Sequence, residues 1–242
     1  MPTSRKRKRA GKPVERTVYE GYKPDFSKRW KLKIKPEQFV YLRDDPDFLL
    51  LVKIGRAINS ISFAVCNWAS FSECKTYVQR RQHRRGLLVL AGYLHETMTL
   101  IRGVGDRHIT MKSFVPLRNI AYGEEYKKAR GYFKVIRNYT AFHLDNVDFH
   151  EVTRESLAQL DATMYVLMGG DDDTAGTFYF EFSDYLDYAF VGKSFKGDRT
   201  AEETANDIQK TIIDTALATL NAAFAFQVSL AKKMELHEYV YS

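Results

Sequence analysis

The sequence predicts a mainly α fold, a helical bundle of about five long helices with room for one small two-stranded ribbon. Three observations carry this expectation. Long stretches place apolar residues at helical spacing. Two of these stretches open on strong helix-start signals, Asp45-Pro46 and Thr200-Ala201-Glu202-Glu203. Only two short stretches, Trp30–Lys35 and Thr177–Phe182, alternate as strands do. A chain of 242 residues, 45% of them hydrophobic, can bury a sizeable core in one domain.

In chain order, residues 1–25 lack hydrophobic periodicity and are expected to form a disordered basic N-terminal arm, leaving 26–242 as the helical domain. Trp30–Lys35 alternates apolar and basic residues, as an edge strand does, and Pro36 ends it. The first long helix is expected from Asp45-Pro46 to about Ser70. Its core candidates are Phe48, Leu51, Val52, Ile58, Ile61, Val65 and Trp68, with Arg56 and Asn59 as a polar pair inside the stripe. A second helix is expected from about Glu73 to Arg102, polar at first and apolar from Leu87 onward, closed by Gly103-Val104-Gly105-Asp106. Lys112–Ala121 reads as a short connecting segment, and Gly123 opens a third helix.

That helix runs toward Asp145. Tyr132, Val135, Ile136, Tyr139 and His143 fall at i, i+3, i+4, i+7 and i+11, one stripe of its surface. Glu124 and Glu125 suit its first turn, where the macrodipole favours anions, and Lys127, Lys128, Arg130 and Lys134 make the approach to Arg137 cationic. A fourth helix is expected from about Phe149 to Met168, followed by the acidic turn Gly169–Asp173, which reads as an exposed loop rather than a metal site. Thr177–Phe182 puts Phe178, Phe180 and Phe182 on one face and is the candidate ribbon partner of Trp30–Lys35. The last helix, from Thr200 to about Glu235, has Ile208, Ile212, Ile213, Ala216, Leu217, Leu220, Ala223 and Phe224 for the core. Small residues permit close packing along it.

Charge is unevenly placed. Residues 1–19 hold seven Lys/Arg against one Glu, so the arm accounts for +6 of the formal +7 and the body for only +1. A mobile cationic arm attracts a polyanion, although a solubilising tail has the same composition. Within the body, Arg80, Arg81, Arg84 and Arg85 surround His83. The i, i+4 pairs lay two cations on each of two adjacent lines, a pattern that can follow a nucleic-acid backbone or simply face solvent. No uninterrupted apolar run approaches the roughly 20 residues that span a bilayer, and no apolar segment follows the basic N-terminus, so neither a membrane partner nor a secretory signal is expected. Two cysteines, Cys66 and Cys74, make neither a disulfide framework nor a metal pair, and a reduced, cytoplasmic setting is expected.

Few catalytic sets remain. The six histidines are scattered, with no His-x-x-x-His and no Cys-x-x-Cys. No nucleophile elbow, dinucleotide fingerprint or kinase set is present, and no metal or other cofactor is expected. What is left is Arg137-Asn138 and, after four further residues, His143. On one ideal helix these two side chains stand roughly 120° and about 9 Å apart, so a single helix does not aim both at one phosphate. A second copy of the chain would supply the missing half.

Arg137-Asn138-Tyr139-Thr140-Ala141-Phe142-His143, near the end of a helix in a helical chain, resembles the Arg-x4-6-His motif of the HEPN superfamily. The resemblance covers about ten residues; elsewhere it is architectural only. It implies a metal-independent endoribonuclease whose cleft is shared by a homodimer, with Arg137, Asn138 and His143 catalytic. It also implies a toxin or phage-defence role with an antitoxin or regulatory protein as partner. Members modified by nucleotidyltransferase antitoxins carry Tyr two positions after the His, where this chain has Asp145, so that route of neutralisation is not expected. The alternatives are a catalytically inactive helical module that binds RNA or protein, and a structural pair with Arg137 bridging to an acid and His143 capping a helix.

Overall fold

The structure is a computed structural model that describes residues 28–32, 40–70, 77–138, 191, 194–195 and 197–241; the side chains of 28–32, 77–81, 201 and 237–241 are outside that description. Five α-helices form the described bundle: α1 (Pro46–Ser70), α2 (Tyr77–Val104), α3 (Phe114–Tyr122), α4 (Lys127–Ile136) and α5 (Ala201–Lys233). The mainly α expectation holds. Its fourth helix, 149–168, and the acidic turn after it lie outside the described residues. The structure instead makes α3 from the segment expected to be a connector. Pro116 is tolerated there because it sits in the first turn, where an amide has no helical partner to lose.

α1 begins where its start signal predicts. Asp45 Oδ1 accepts the backbone N–H groups of Asp47 and Phe48 at 2.8 and 2.9 Å, and Pro46 takes the first helical position. Its buried face is Phe48, Leu50, Leu51, Ile54, Ile61, Ala64 and Trp68. Val52, expected in the core, is exposed, because it lies one 100° step beyond Leu51 and away from the face set by Leu51 and Ile54. α5 opens on a complete capping box: Thr200 Oγ1 accepts the Glu203 N–H at 3.1 Å, and the Glu203 carboxylate accepts the Thr200 N–H at 2.9 Å. Its buried threonines, Thr204, Thr215 and Thr219, turn their hydroxyls back onto carbonyls one turn earlier and so cost no unmet hydrogen bond. Phe224, expected in the core, is exposed, and Phe226 is buried in its place. The two lie about 200° apart on the helix, so only one can face inward.

α2 and α5 each pack against all four other helices and form the centre; α1, α3 and α4 flank them. Phe226 of α5 meets Phe114 of α3 with ring centroids 4.9 Å apart, and buried His108 stands edge-on to both. The C-terminal carbonyls of α3 are closed by two arginines. Arg102 Nε and Nη2 donate to Ala121 O, while Arg130 donates to Ile120 O, Tyr122 O and Gly123 O. A three-residue 3₁₀ turn, Glu124–Tyr126, precedes α4 and holds the acidic pair expected in that helix's first turn.

Among the described residues there is one two-stranded ribbon. β1 (Lys28–Leu32) pairs antiparallel with β2 (His237–Tyr241), placing Trp30 opposite Tyr239. The strand expected at Trp30–Lys35 exists, but it begins two residues earlier and ends three residues earlier, and its partner is the C-terminal strand. The expected partner, Thr177–Phe182, lies outside the described residues. Among the described residues, two stretches, Pro46–Ser70 and Glu202–Lys233, are long and apolar enough to cross a membrane by length and composition alone. In the bundle both contribute residues to the shared core.

Candidate functional site

The packing of α4 on α2 decides where Arg137 sits. Ala129, Tyr132, Phe133 and Ile136 are the buried face of α4, and their 3- and 4-residue spacing turns that face inward. Lys128 and Tyr132 also tie α4 to the start of α5. Asp207 accepts from Lys128 Nζ at 2.6 Å, Tyr132 Oη at 2.5 Å and Arg199 Nη1 at 2.8 Å. Burial alone would raise the Asp207 pKa, but these three donors outweigh it and hold the carboxyl well below the usual carboxylate range.

At its C-terminal end α4 passes into a π turn at residues 137–138. The half-buried Arg137 side chain crosses to α2, where its Nε donates to Glu96 Oε1 at 2.8 Å, and its Nη1 donates to Asn138 Oδ1 at 3.3 Å. Asn138 Oδ1 therefore steadies the guanidinium. His143 lies outside the described residues.

Glu96 also lines a cleft of about 220 Å³ between α1 and α2, together with Lys53, Arg56, Tyr93, Thr97 and Leu100. Arg56 and Asn59 are exposed rather than a buried pair, and only Arg56 reaches this cleft. Lys53 and Arg56 are one turn apart on α1, and neither has an ion-pair or hydrogen-bond partner among the described residues. His95, next to Glu96, is half-buried. Burial lowers its pKa, the Glu96 charge opposes that, and Arg137, Arg102 and Lys134 push it further down, so the ring is neutral near pH 7.

The cationic approach to Arg137 is thinner than the sequence indicates. Lys127 pairs with Glu124, Lys128 with Asp207, and Arg130 caps α3; Lys134 alone of the four remains an exposed charge with no partner among the described residues. The arginine patch on α2 is a separate feature. Arg84 is exposed and Arg85 half-buried, while the side chains of Arg80 and Arg81 lie outside the described residues. Between them His83 has a structural task. Its Nδ1 donates to Trp68 O at the end of α1 at 2.9 Å, and its ring stacks on Trp68 at 5.0 Å. At 1.5 Å per residue, Arg80–Arg85 stand roughly 17–24 Å along α2 from Glu96. The structure thus brings Arg137 and Asn138 together, with Lys134 one turn earlier on α4, and leaves the arginine patch apart from them.

The chain matches no protein-family model, no curated protein and no solved structure. The residues themselves therefore carry the functional argument.

Sequence reasoning missed Lys53, Glu96 and His95. Lys53 and Arg56 carried one available signal, an i, i+3 pair of cations in a largely apolar helix. Glu96 had none, because its role depends on α4 crossing α2, a contact between residues 41 positions apart.

Proposed function

We propose that the protein is a metal-independent endoribonuclease of HEPN type, cutting RNA at a composite site in which two copies of the chain each contribute Arg137 and His143. The observation that carries this reading is the setting of Arg137. The motif arginine is half-buried at a π turn, its guanidinium held by Glu96 and Asn138, beside a cleft edged by two cations with no ion-pair partner among the described residues. A held guanidinium loses less freedom when it grips a phosphate, and its planar fork matches phosphate oxygens.

In this reaction the ribose 2′-hydroxyl is the nucleophile. A base removes its proton as the 2′-oxygen attacks the adjacent phosphorus. The P–O5′ bond breaks, the departing 5′-oxygen takes a proton from an acid, and the products are a 2′,3′-cyclic phosphate and a free 5′-hydroxyl. His143 from each copy serves as base or acid, and Arg137 stabilises the charge gathered on the phosphate. The basic arm and the α2 arginines add electrostatic attraction to the RNA. A cytoplasmic setting away from membranes, a toxin or defence role and a neutralising protein partner belong to the same reading.

The second reading is a non-catalytic helical module that binds RNA or protein, and one observation favours it: Arg137 already has a carboxylate partner, as a purely structural arginine would. Incubating the purified protein with mixed RNA in EDTA separates the two. The nuclease cuts without added metal and leaves cyclic-phosphate ends. The module binds RNA and leaves it intact.

A further inference from the structure

The α1–α2 cleft has a makeup that the cleavage chemistry does not itself require. Lys53 and Arg56 reach it from α1 and have no carboxylate to answer them among the described residues. Glu96 is the one acid lining it among the described residues, and Arg137 holds that residue through Nε. Counting Lys53, Arg56, Arg137 and Glu96, the cleft and its edge carry +2. The opposite wall presents Tyr93 and Leu100, while the Thr97 hydroxyl is turned away onto Tyr93 O at 2.8 Å. Two open cations beside an apolar, partly aromatic wall ask for a ligand that is anionic at one end and flat and apolar at the other. A bare phosphate or carboxylate satisfies the cations and leaves the wall unused. A volume of about 220 Å³ is smaller than ordinary drug-sized sites, and suits one nucleotide unit rather than a longer segment.

We propose that this cleft is a ribonucleotide subsite. It takes the nucleotide adjoining the phosphate held by Arg137, with Lys53 and Arg56 on that nucleotide's own phosphate and its base against the Tyr93–Leu100 wall. Glu96 joins the two places, because the carboxylate that holds Arg137 also lines the cleft. Its oxygens accept hydrogen bonds, so a base with N–H groups on its exposed edge, or a ribose hydroxyl, is the complementary neighbour. The inference rests on the nuclease reading for its role in cleavage, but not for the existence of the site.

The test is calorimetric titration of the full chain with the four ribonucleoside 5′-monophosphates and with inorganic phosphate, beside the RNA-cleavage assay. The nucleotides should bind at least about fivefold tighter than inorganic phosphate, the margin that base–aromatic stacking supplies. Lys53→Ala with Arg56→Ala should weaken nucleotide binding tenfold or more. Both residues are exposed, so helix content should stay unchanged. Ala57 also lines the cleft, and Ala57→Phe, which fills it and keeps both cations, should weaken binding as well. On short single-stranded RNA the double variant should lower the log–log salt slope by about 0.7, because the two cations hold one and the same phosphate. Nucleotide binding indifferent to all these changes, or no tighter than that of phosphate, overturns the subsite even if RNA is cut. Binding that fails in the variants, in a protein that cuts no RNA, keeps the subsite and removes the reaction.

Discussion

Arg137 and Glu96 form an ion pair whose side chains are 31% and 51% exposed, and that exposure bounds what the pair contributes to stability. Pairs this open to solvent contribute about 0–1 kcal/mol. Arg137→Ala should therefore lower the melting temperature by no more than roughly 4 °C in a domain of this size. Glu96→Ala should change stability as little but remove the support that orients the guanidinium, and misplacing a catalytic group costs up to about a hundredfold in rate. A large loss of stability in either variant, measured by thermal melting, would show that the pair is mainly structural. Residue identity at this site was legible in part. Arg137 and Asn138 stood out because their types suit phosphate and amide chemistry next to a nearby histidine. Glu96 and Lys53 did not, since an acid or a lysine on a helix is ordinary until its neighbours are known.

At the scale of elements, the start signals were legible because they act locally. Asp45-Pro46 and the Thr200–Glu203 box each bond within one turn, and both helices begin where those residues stand. The partner of β1 was not legible, because a two-stranded pairing between residues 28–32 and 237–241 is fixed by where five helices leave the chain ends. The short helix α3 escaped for a related reason: nine residues with a proline in the first turn are helical here through burial of Phe114, Leu117, Ile120 and Ala121. Two glycines give a paired test of element packing. A Cβ on Gly123 would stand 2.7 Å from the backbone carbonyl oxygen of Asn119, which cannot move without opening the end of α3. A Cβ on Gly55 would meet the tip of the flexible Gln227 side chain, also at 2.7 Å. Gly123→Ala should thus destabilise by about 1–3 kcal/mol. Gly55→Ala should be neutral or gain up to about 1 kcal/mol from helix propensity. Chemical denaturation of the two variants reads the difference, and equal losses would contradict the packing described between α1 and α5.

At the scale of the whole molecule, pH acts, among the described residues, on three histidines and two carboxylates that help hold the bundle. Burial is the leading cause that lowers the pKa of His83, His95 and His108 below the ordinary 6.5. The unfolded chain therefore takes up protons near pH 6.5 that the folded chain refuses, and stability falls as pH drops through that value. His108 also lies 3.2 Å from Asp47 Oδ1, beside Arg107 and Lys233, so its ring is part of the clamp between the start of α1 and the end of α5. Asp47 and Asp207 carry the opposite charge to a protonated imidazole, yet their effect on stability has the same sign. Burial raises both, hydrogen bonds from Lys233 to Asp47 and from Lys128, Tyr132 and Arg199 to Asp207 more than reverse it, and both end below the ordinary 3.8. Their contribution is present above that value and is lost as pH falls beneath it. A melting-temperature profile from pH 8 to 3 should fall first between about 7 and 5, and again below about 4. A flat profile from 8 to 5 would mean that the three imidazoles are not buried as neutral rings.

The most direct measurement is RNA cleavage by His143→Ala and Arg137→Ala in EDTA, each compared with the unaltered protein at matched melting temperature. Both should lose about a hundredfold or more of the cleavage rate, Arg137→Lys should recover little of it, and mixing the two alanine variants should not restore the full rate. Undiminished cleavage by folded His143→Ala would contradict the assignment of the reaction to this site.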